Sequence, residues 1–248
     1  MKFSNSNKTK ARIAGVLFLF VIVFGAFAEV FVRQKVMVDG DAAKTAQNII
    51  AHKWLFQVGI VSDLIMATAY FLFAFTTYHL LKSVNVKHAQ VMLLSVVIAV
   101  CILCLNTFNQ VAASLIINND QYLKAFETDQ LQALATFFMK LHSKGYMIAQ
   151  IFYGLYLIPL GYLVYKSGVL PKIIGVCLIL GGAGDLIDFV RFFLFPNYQS
   201  VILQNITVPA NLGEFSLCLW LIVVGVNESK KSLDDSLTPN PIEFLEKA

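Results

Sequence analysis

The stretch IIGVCLILGGAGDLIDFVRFFLF, residues 173–195, decides the fold class of this chain. It is almost continuously apolar, and as a helix rising about 1.5 Å per residue it would cross the roughly 30 Å hydrocarbon core of a bilayer. Strands of a membrane β-barrel are shorter and alternate lipid-facing with lumen-facing side chains, which this stretch does not do. It therefore predicts a transmembrane α-helix, whose charged residues are Asp185, Asp188 and Arg191.

Five other stretches have the same character and together fill most of the chain. Hydrophobic residues make up 58% of the 248 residues and charged residues 14%, which is far more apolar than a soluble domain. The predicted fold is an all-α polytopic membrane protein, a single six-helix bundle at 11–226 between a cytoplasmic segment at 1–10 and a flexible cytoplasmic tail at 227–248. We predict six transmembrane helices, at about residues 11–32, 54–81, 89–117, 145–165, 173–195 and 208–226.

Basic residues near the helix ends predict the orientation of the bundle. Cytoplasmic flanks of membrane helices carry an excess of lysine and arginine. Both termini are therefore predicted to lie in the cytoplasm. The net charge of +4 is spread over loops and ends in this way, so it carries no nucleic-acid signature. The basic flanks contain Lys2, Lys8, Lys10, Arg12, Lys82, Lys87, Lys166, Lys172, Lys230 and Lys231.

The first predicted helix has a second interpretation. Lysines precede its apolar run, and Ala26-Phe27-Ala28 has the small-x-small form of a signal-peptidase site. Cleavage after Ala28 would remove one helix from the bundle. We favour retention because Val30-Phe31-Val32 extends the apolar run to about bilayer length.

Polar side chains recur at similar predicted depths in several of these helices. Because an ionisable or amide group among lipid tails is costly, such side chains turn toward the bundle interior and pair there or contact water. Helical spacing puts His142, Tyr146 and Gln150 on one face. We predict one polar layer that forms an outward-facing ligand- or ion-binding pocket, made of Glu29, Asp63, Asn106, Asn109, His142, Tyr146, Gln150, Asp185, Asp188, Arg191 and Glu214.

Acidic groups exceed the obvious positive partners in this layer. Arg191 is three residues from Asp188, so these two are predicted to form a local ion pair. His142 and Lys144 would neutralise further carboxyl groups, and protonation in apolar surroundings would neutralise the others. A site for a proton or a cation follows from that arrangement. The alternative is that each carboxyl group is only a hydrogen-bonded strut between helices.

Three functions remain open at this point. The preferred one is binding or transport of a cation, a proton or a small amphiphile. An accessory membrane subunit whose polar layer only fixes helix register is one alternative. The sequence has no His-Glu-x-x-His motif or clustered histidine pair, so it predicts no metal site, and it does not identify a cofactor. The other alternative, enzymatic and less favoured, is intramembrane hydrolysis of a lipid-like substrate with acids, bases or metal ligands drawn from Asp63, Asp185, Glu214 and His142.

Two segments outside the predicted helices also have helical patterns. Asp39-Gly40-Asp41 is typical of a turn with a helix cap, and residues 42–52 follow as a short helix. From Asp129 to His142, apolar residues recur at helical spacing. The two segments either form a lid over the outer mouth of the pocket, or they are helical extensions or helices at headgroup level.

Glycine and proline predict helix boundaries and one close helix contact. Gly168 and Pro171 end one helix and start the next, and Pro209 fits the first turn of the last helix. The run Gly181-Gly182-Ala183-Gly184 has the small side chains that close packing of membrane helices requires.

Several short motifs resemble a known family. They are Ala11-Arg12-Ile13-Ala14-Gly15, Ile151-Phe152-Tyr153-Gly154, LGYLVYKS at 160–167 with Leu170-Pro171, and Leu212-Gly213-Glu214 followed by Leu219-Trp220-Leu221 and Gly225. Over roughly residues 10–226 the chain resembles the bacterial membrane family catalogued as domain of unknown function 4386. The resemblance implies a multi-pass protein of the bacterial cytoplasmic (inner) membrane, in contact with the lipid bilayer. It implies no catalytic residue, cofactor or substrate.

Overall fold

The computed structural model of the chain describes residues 4–118, 125–198 and 200–226, and every regular element in these ranges is helical. The predicted all-α fold is therefore confirmed. The predicted tail at 227–248 lies outside the described residues. In chain order the elements are α1 (Ser4–Ala26), a π-helical segment (Phe27–Arg33), α2 (Gln34–Val36), α3 (Ala42–Ala51), α4 (Lys53–Leu81), α5 (Val86–Ile117), α6 (Thr128–Lys166), α7 (Lys172–Leu194), α8 (Val201–Gln204) and α9 (Val208–Val223).

Among the described residues, five helical stretches are long and apolar enough to cross a membrane, so the chain is a multi-pass membrane protein. α9 is also apolar, but its 16 residues rise only about 24 Å, less than the roughly 30 Å hydrocarbon core. The sixth span therefore stays a prediction. The five stretches are Asn7–Val36, Lys53–Leu81, Val86–Ile117, Thr128–Lys166 and Lys172–Leu194.

Two predicted helix starts differ from the structure by seven residues or more, those of α1 and α6. α1 begins at Ser4 rather than near residue 11, because lysines such as Lys8 and Lys10 are good helix formers and continue the helix beyond the apolar run. α6 is one helix of 39 residues, about 58 Å long, that begins at a capping box of Glu127 and Gln130. The segment from Asp129 is thus a helical extension of the fourth span rather than a separate helix.

The predicted turn and short helix before α4 are confirmed. Gly40 has a φ of 80°, which glycine adopts without steric cost. The carboxylate of Asp41 accepts a hydrogen bond from the backbone nitrogen of Lys44 at 2.8 Å, and this bond caps α3. Ile49 of α3 packs with Leu131 and Met139 of α6 in an apolar cluster. α3 therefore lies against the first half of α6 at one end of the bundle, which we call the α3 end.

In the part of the chain that the structure describes, six helices form a closed ring. Packing runs in the order α1, α4, α5, α6, α7 and α9, and α9 packs back against α1. A large apolar cluster fills the end of the ring opposite α3, where it includes Leu81, Ala89, Leu163 and Ile174. The polar side chains of the ring interior therefore lie between this cluster and the smaller one under α3.

Glycines bring α6 and α7 into backbone contact. A Cβ atom on Gly154 would lie 2.7 Å from the carbonyl oxygen of Gly182, and one on Gly161 would lie 2.6 Å from that of Gly175. The two glycines of each helix are about two turns apart, so they share a face. This antiparallel pairing leaves no room for side chains between the helices.

The run at 181–184 also makes the close contacts that its small residues predict. A Cβ atom on Gly181 would collide with the backbone of Ala210 in α9, and one on Gly184 would collide with the carbonyl oxygen of Ile206. Gly181 and Gly184 thus hold α7 against the start of α9, directly beside Asp185.

Candidate functional site

A buried ion pair joins the π-helical segment to α4. The Nη1 of Arg33 donates to Oδ2 of Asp63 at 2.6 Å, and its Nε donates to Oε2 of Glu29 at 2.7 Å. The side chains of Arg33 and Asp63 are 11% and 8% exposed, whereas that of Glu29 is 52% exposed. π-helical turns are rare and are frequently found at functional sites. Glu29, predicted to turn inward, is thus at the open edge of the interior and is held there by Arg33.

Gln110 connects Asp63 to His142. Its Nε2 donates to Oδ2 of Asp63 at 2.7 Å and lies 2.8 Å from Nε2 of His142. Because an amide nitrogen donates, His142 accepts at Nε2, and its neutral ring carries the proton on Nδ1. Among the residues that the structure describes, that buried Nδ1 and Oε1 of Gln110 have no hydrogen-bond partner.

Asn106 and Asn109 extend the same network along α5. Nδ2 of Asn106 donates to the backbone carbonyl of His142 at 2.8 Å, and Nδ2 of Asn109 donates to Oδ1 of Asn106 at 2.9 Å. A Cβ atom on Gly145 would collide with Asn106, so this glycine makes room for the amide. We call the network the outer polar cluster; it comprises Glu29, Arg33, Asp63, Asn106, Asn109, Gln110 and His142.

A second network, the inner polar cluster, connects α6, α7 and α9. Oδ1 of Asp188 accepts from Nη2 of Arg191 at 2.6 Å, which confirms the predicted local ion pair. Oδ2 of Asp188 accepts from Nε2 of Gln150 at 3.2 Å. The hydroxyl of Tyr156 donates to the carboxyl group of Glu214. The inner polar cluster comprises Gln150, Tyr156, Asp185, Asp188, Arg191 and Glu214.

The predicted residues lie in two clusters at different heights rather than in one layer, and Tyr146 lies between the two and lines both cavities described below. On α6, His142 of the outer cluster and Gln150 of the inner cluster are about 12 Å apart by helix rise. Similar depths follow only if the helices end where the sequence predicts, and the helical stretches Asn7–Val36 and Thr128–Lys166 extend beyond the predicted ends at residues 32 and 145. Lys144, a predicted partner for the carboxyl groups, has its Nζ 4.1 Å from the centre of the Phe192 ring.

Two adjoining cavities lie beside these clusters. The inner cavity, of about 510 Å³, is lined by all six helices of the ring. The outer cavity, of about 430 Å³, lies nearer the α3 end. Both volumes are in the range of small-molecule sites. The polar side chains and tyrosines of the inner cavity are Tyr70, Tyr146, Gln150, Tyr153, Asp185, Asp188, Thr207, Asn211 and Glu214. Those of the outer cavity are Glu29, Arg33, Gln34, Asp39, His142, Ser143 and Tyr146.

Tyrosine rings form one wall of the inner cavity. The ring centres of Tyr146 and Tyr153 are 5.7 Å apart, and those of Tyr153 and Tyr70 are 6.1 Å apart. Tyr70 meets the ring of Tyr156 edge to face at 5.4 Å. Because Tyr156 also donates to Glu214, a continuous series of tyrosine contacts leads from Tyr146 to the carboxyl group of Glu214.

The sequence prediction omits Arg33, Gln110 and the tyrosines Tyr70, Tyr153 and Tyr156. Arg33 lies just beyond the predicted first helix at 11–32, although its spacing of four residues from Glu29 is the spacing of a helical ion pair. Gln110 shares a helix face with Asn106, which was the available signal for it. Tyr70 had no signal, because a tyrosine in an apolar helix is usually a packing residue. Within the described ranges, no group of three or more His, Cys, Asp and Glu side chains is arranged to hold a metal ion.

Comparisons with known proteins identify a family. No solved structure is significantly similar to the chain. Over 78 residues the chain is 33% identical to an uncharacterized protein of Archaeoglobus fulgidus, a match that covers 32% of this chain and 44% of that relative. The chain thus spans less than half the length of the curated relative it matches. The model of a family described as a domain of unknown function, DUF4386, matches residues 13–225, a range that includes both polar clusters. The chain therefore belongs to the DUF4386 family, as its motifs predict.

Proposed function

We propose that this membrane protein binds a small organic cation in the inner cavity, with the charge near Asp185 and Glu214 and an apolar body against the tyrosine wall. The observation that carries the proposal is the composition of that cavity. Its described lining contains three carboxyl side chains, Asp185, Asp188 and Glu214, and no lysine, arginine or histidine. An acidic cavity inside an apolar helix bundle favours a ligand that supplies the missing positive charge.

The partners of these carboxyl groups leave the cavity acidic. Arg191 compensates Asp188, but Tyr156, which donates to Glu214, is a neutral partner. Asp185 is 8% exposed, so water screens it little. A bound cation would offset this charge.

The aromatic lining supports an organic rather than an inorganic cation. Calcium and magnesium require a shell of six or more oxygen ligands. Tyr70, Tyr146 and Tyr153 instead present ring surfaces, which attract alkylammonium groups through their quadrupoles. Phe18 and Leu103 add apolar area in the same cavity. Such a lining suits a protonated or quaternary amine with an apolar body.

Thermal unfolding of the full-length protein in detergent tests the proposal. Choline should raise the unfolding temperature, whereas its uncharged isostere 3,3-dimethylbutan-1-ol should not. Benzyltriethylammonium, which offers more apolar area to the cavity, should act at lower concentration. At one hundred times its dissociation constant, a ligand stabilises the folded state by about 2.7 kcal/mol. Asp185→Asn should abolish the shift. Asp129→Asn, an exposed carboxyl in the first turn of α6, is the matched control and should keep it.

Other results would favour the alternative functions. Equal stabilisation by 3,3-dimethylbutan-1-ol would contradict recognition of charge. Cleavage of a lipid-like ester that is lost in Asp185→Asn would favour a hydrolase. Absence of any ligand effect, with Asp185→Asn and Glu214→Gln both silent, would favour an accessory subunit whose polar groups are structural.

We also propose that the protein lies in the bacterial cytoplasmic membrane with the α3 end facing outward. The support is the distribution of positive charge. Lys8, Lys10 and Arg12 begin α1, and four further lysines flank the same end of the ring: Lys82, Lys87, Lys166 and Lys172. Such an excess marks the cytoplasmic side of a membrane protein.

A further inference from the structure

We infer that the outer cavity is the access vestibule of the inner cavity, and that Gly25, Met66 and Tyr146 form the constriction between the two. The inference rests on the proposed function, because it describes the path of the same organic cation. These three residues, from α1, α4 and α6, line both cavities. The two cavities therefore meet at these three residues.

The vestibule opens at the α3 end of the bundle. Gln34 and Asp39 line the outer cavity and are both exposed, and Met37 lines it from the connection that leads to α3. At the opposite end, the inner cavity is followed by the large apolar cluster, in which Leu160 and Leu163 are fully buried. Water and solutes thus have an opening on the side of the vestibule.

The charge of the vestibule suits a cation. Glu29 and Asp39 place two exposed carboxyl groups at its edge. The single guanidinium in its lining, that of Arg33, is shared between Glu29 and Asp63. Acidic groups at a narrow opening raise the local concentration of cations and hence their rate of association.

The constriction is narrowest where Gly25 contacts Met66, and the Met66 side chain can change its position there. A Cβ atom on Gly25 would lie 2.8 Å from the sulfur of Met66, so not even a methyl group fits there without movement. The methionine side chain is unbranched and flexible, so Met66 is the part that can move aside. Beyond it, the ring of Tyr146 begins the tyrosine wall that leads toward Glu214. A larger residue at position 25 should narrow the passage, and a smaller one at position 66 should widen it.

Reaction of introduced cysteines with a cationic reagent tests the route without requiring equilibrium binding. The four native cysteines are first replaced by alanine. Leu103→Cys then reports on the inner cavity, and Ser143→Cys reports on the vestibule. The reagent is the trimethylammonium ethyl methanethiosulfonate, which has the same quaternary ammonium group as choline. It is applied to the full chain in sealed vesicles, from the α3 side.

The expected pattern distinguishes the two reporters. Leu103→Cys should react more slowly than Ser143→Cys. Met66→Ala should raise the rate at Leu103→Cys by about tenfold, and Gly25→Val should lower it by about tenfold. Neither change should affect Ser143→Cys. Gly59→Val is the matched control for packing, because a Cβ atom there would contact Val32 at 2.7 Å rather than Met66.

Two results separate this inference from the proposed function. If the rate at Leu103→Cys is the same in Met66→Ala, in Gly25→Val and in the parent, the access route is wrong, even if choline still stabilises the protein. If that rate responds as expected but choline and benzyltriethylammonium do not stabilise the protein, the route stands and the proposed function fails. Met66→Ala removes atoms rather than adding them, so it keeps the test valid should Gly25→Val fail to fold.

Discussion

Nη1 of Arg33 lies 2.6 Å from Oδ2 of Asp63, and this ion pair attaches the π-helical segment to α4. Both side chains are nearly buried, so loss of either partner leaves an uncompensated charge in a medium that solvates it poorly. The two partners are not equivalent. Without Asp63, Arg33 keeps its ion pair with Glu29, whereas without Arg33, Asp63 keeps the neutral amide of Gln110.

Arg33→Met should therefore destabilise the protein by about 3–5 kcal/mol, and Asp63→Asn should cost less. Free energies of unfolding from denaturant titrations in mixed micelles give both values. The double variant should lose less free energy of unfolding than the two single variants lose together, because it buries no unpaired charge.

Glu29→Gln is the control for this prediction. Glu29 is half exposed, and exposed ion pairs contribute only about 0–1 kcal/mol. Equal and additive losses from Arg33→Met and Asp63→Asn would show that the two side chains are not coupled and would contradict a stabilising ion pair between them.

The membrane class and the long apolar helices follow from the sequence because a bilayer imposes one simple requirement. A spanning segment must be apolar for about 20 residues and must satisfy its backbone within a helix, so composition alone indicates it. Pairs within one helix are also predictable, as Asp188 and Arg191 show, since the helix fixes their distance.

Contacts between helices are less predictable, because they depend on how far each helix slides along its neighbour. Glu214 lies in the second turn of α9, yet it pairs with Tyr156, in the last third of α6. The position of a residue within its own predicted helix does not determine which residue of the neighbouring helix lies beside it. The π-helical segment was likewise not predicted, and it is this segment that directs Arg33 toward Asp63.

Gly145→Ala tests whether the outer polar cluster is closely packed. Where a helical glycine has free space around it, replacement by alanine stabilises the protein by about 0.5–1 kcal/mol. Here the added methyl group would collide with Asn106, whose Cγ would be 2.6 Å away, and would displace its hydrogen bond to His142. We expect a loss of about 1–3 kcal/mol in the free energy of unfolding. Asn106→Ala in the same chain should recover part of it, and a stabilising Gly145→Ala would refute this packing.

Gly161→Ala tests the backbone contact between α6 and α7. The new Cβ atom would lie 2.6 Å from the carbonyl oxygen of Gly175, and a helix backbone cannot yield as a side chain can. The expected loss is about 1–3 kcal/mol or more. Gly25→Ala is the matched control, because the end of the Met66 side chain can move away, so its loss should be smaller. Thermal unfolding of the two variants gives the order, and the reverse order would contradict helix contact through the paired glycines.

Tyr153 tests whether aromatic surface, rather than the hydroxyl group, recognises the cation. Replacement by leucine keeps an apolar side chain in the inner cavity but removes the ring quadrupole. Loss of this attraction should raise the dissociation constant of benzyltriethylammonium by about tenfold. Tyr153→Phe keeps the ring and should bind nearly as well as the parent. Phe152→Leu is the control, because Phe152 packs against the apolar cluster and is not part of the described cavity lining. Calorimetric titration gives the four constants. If Tyr153→Phe loses as much affinity as Tyr153→Leu, the hydroxyl is the recognising group, and the cavity would then bind its ligand by hydrogen bonding instead of through the aromatic wall.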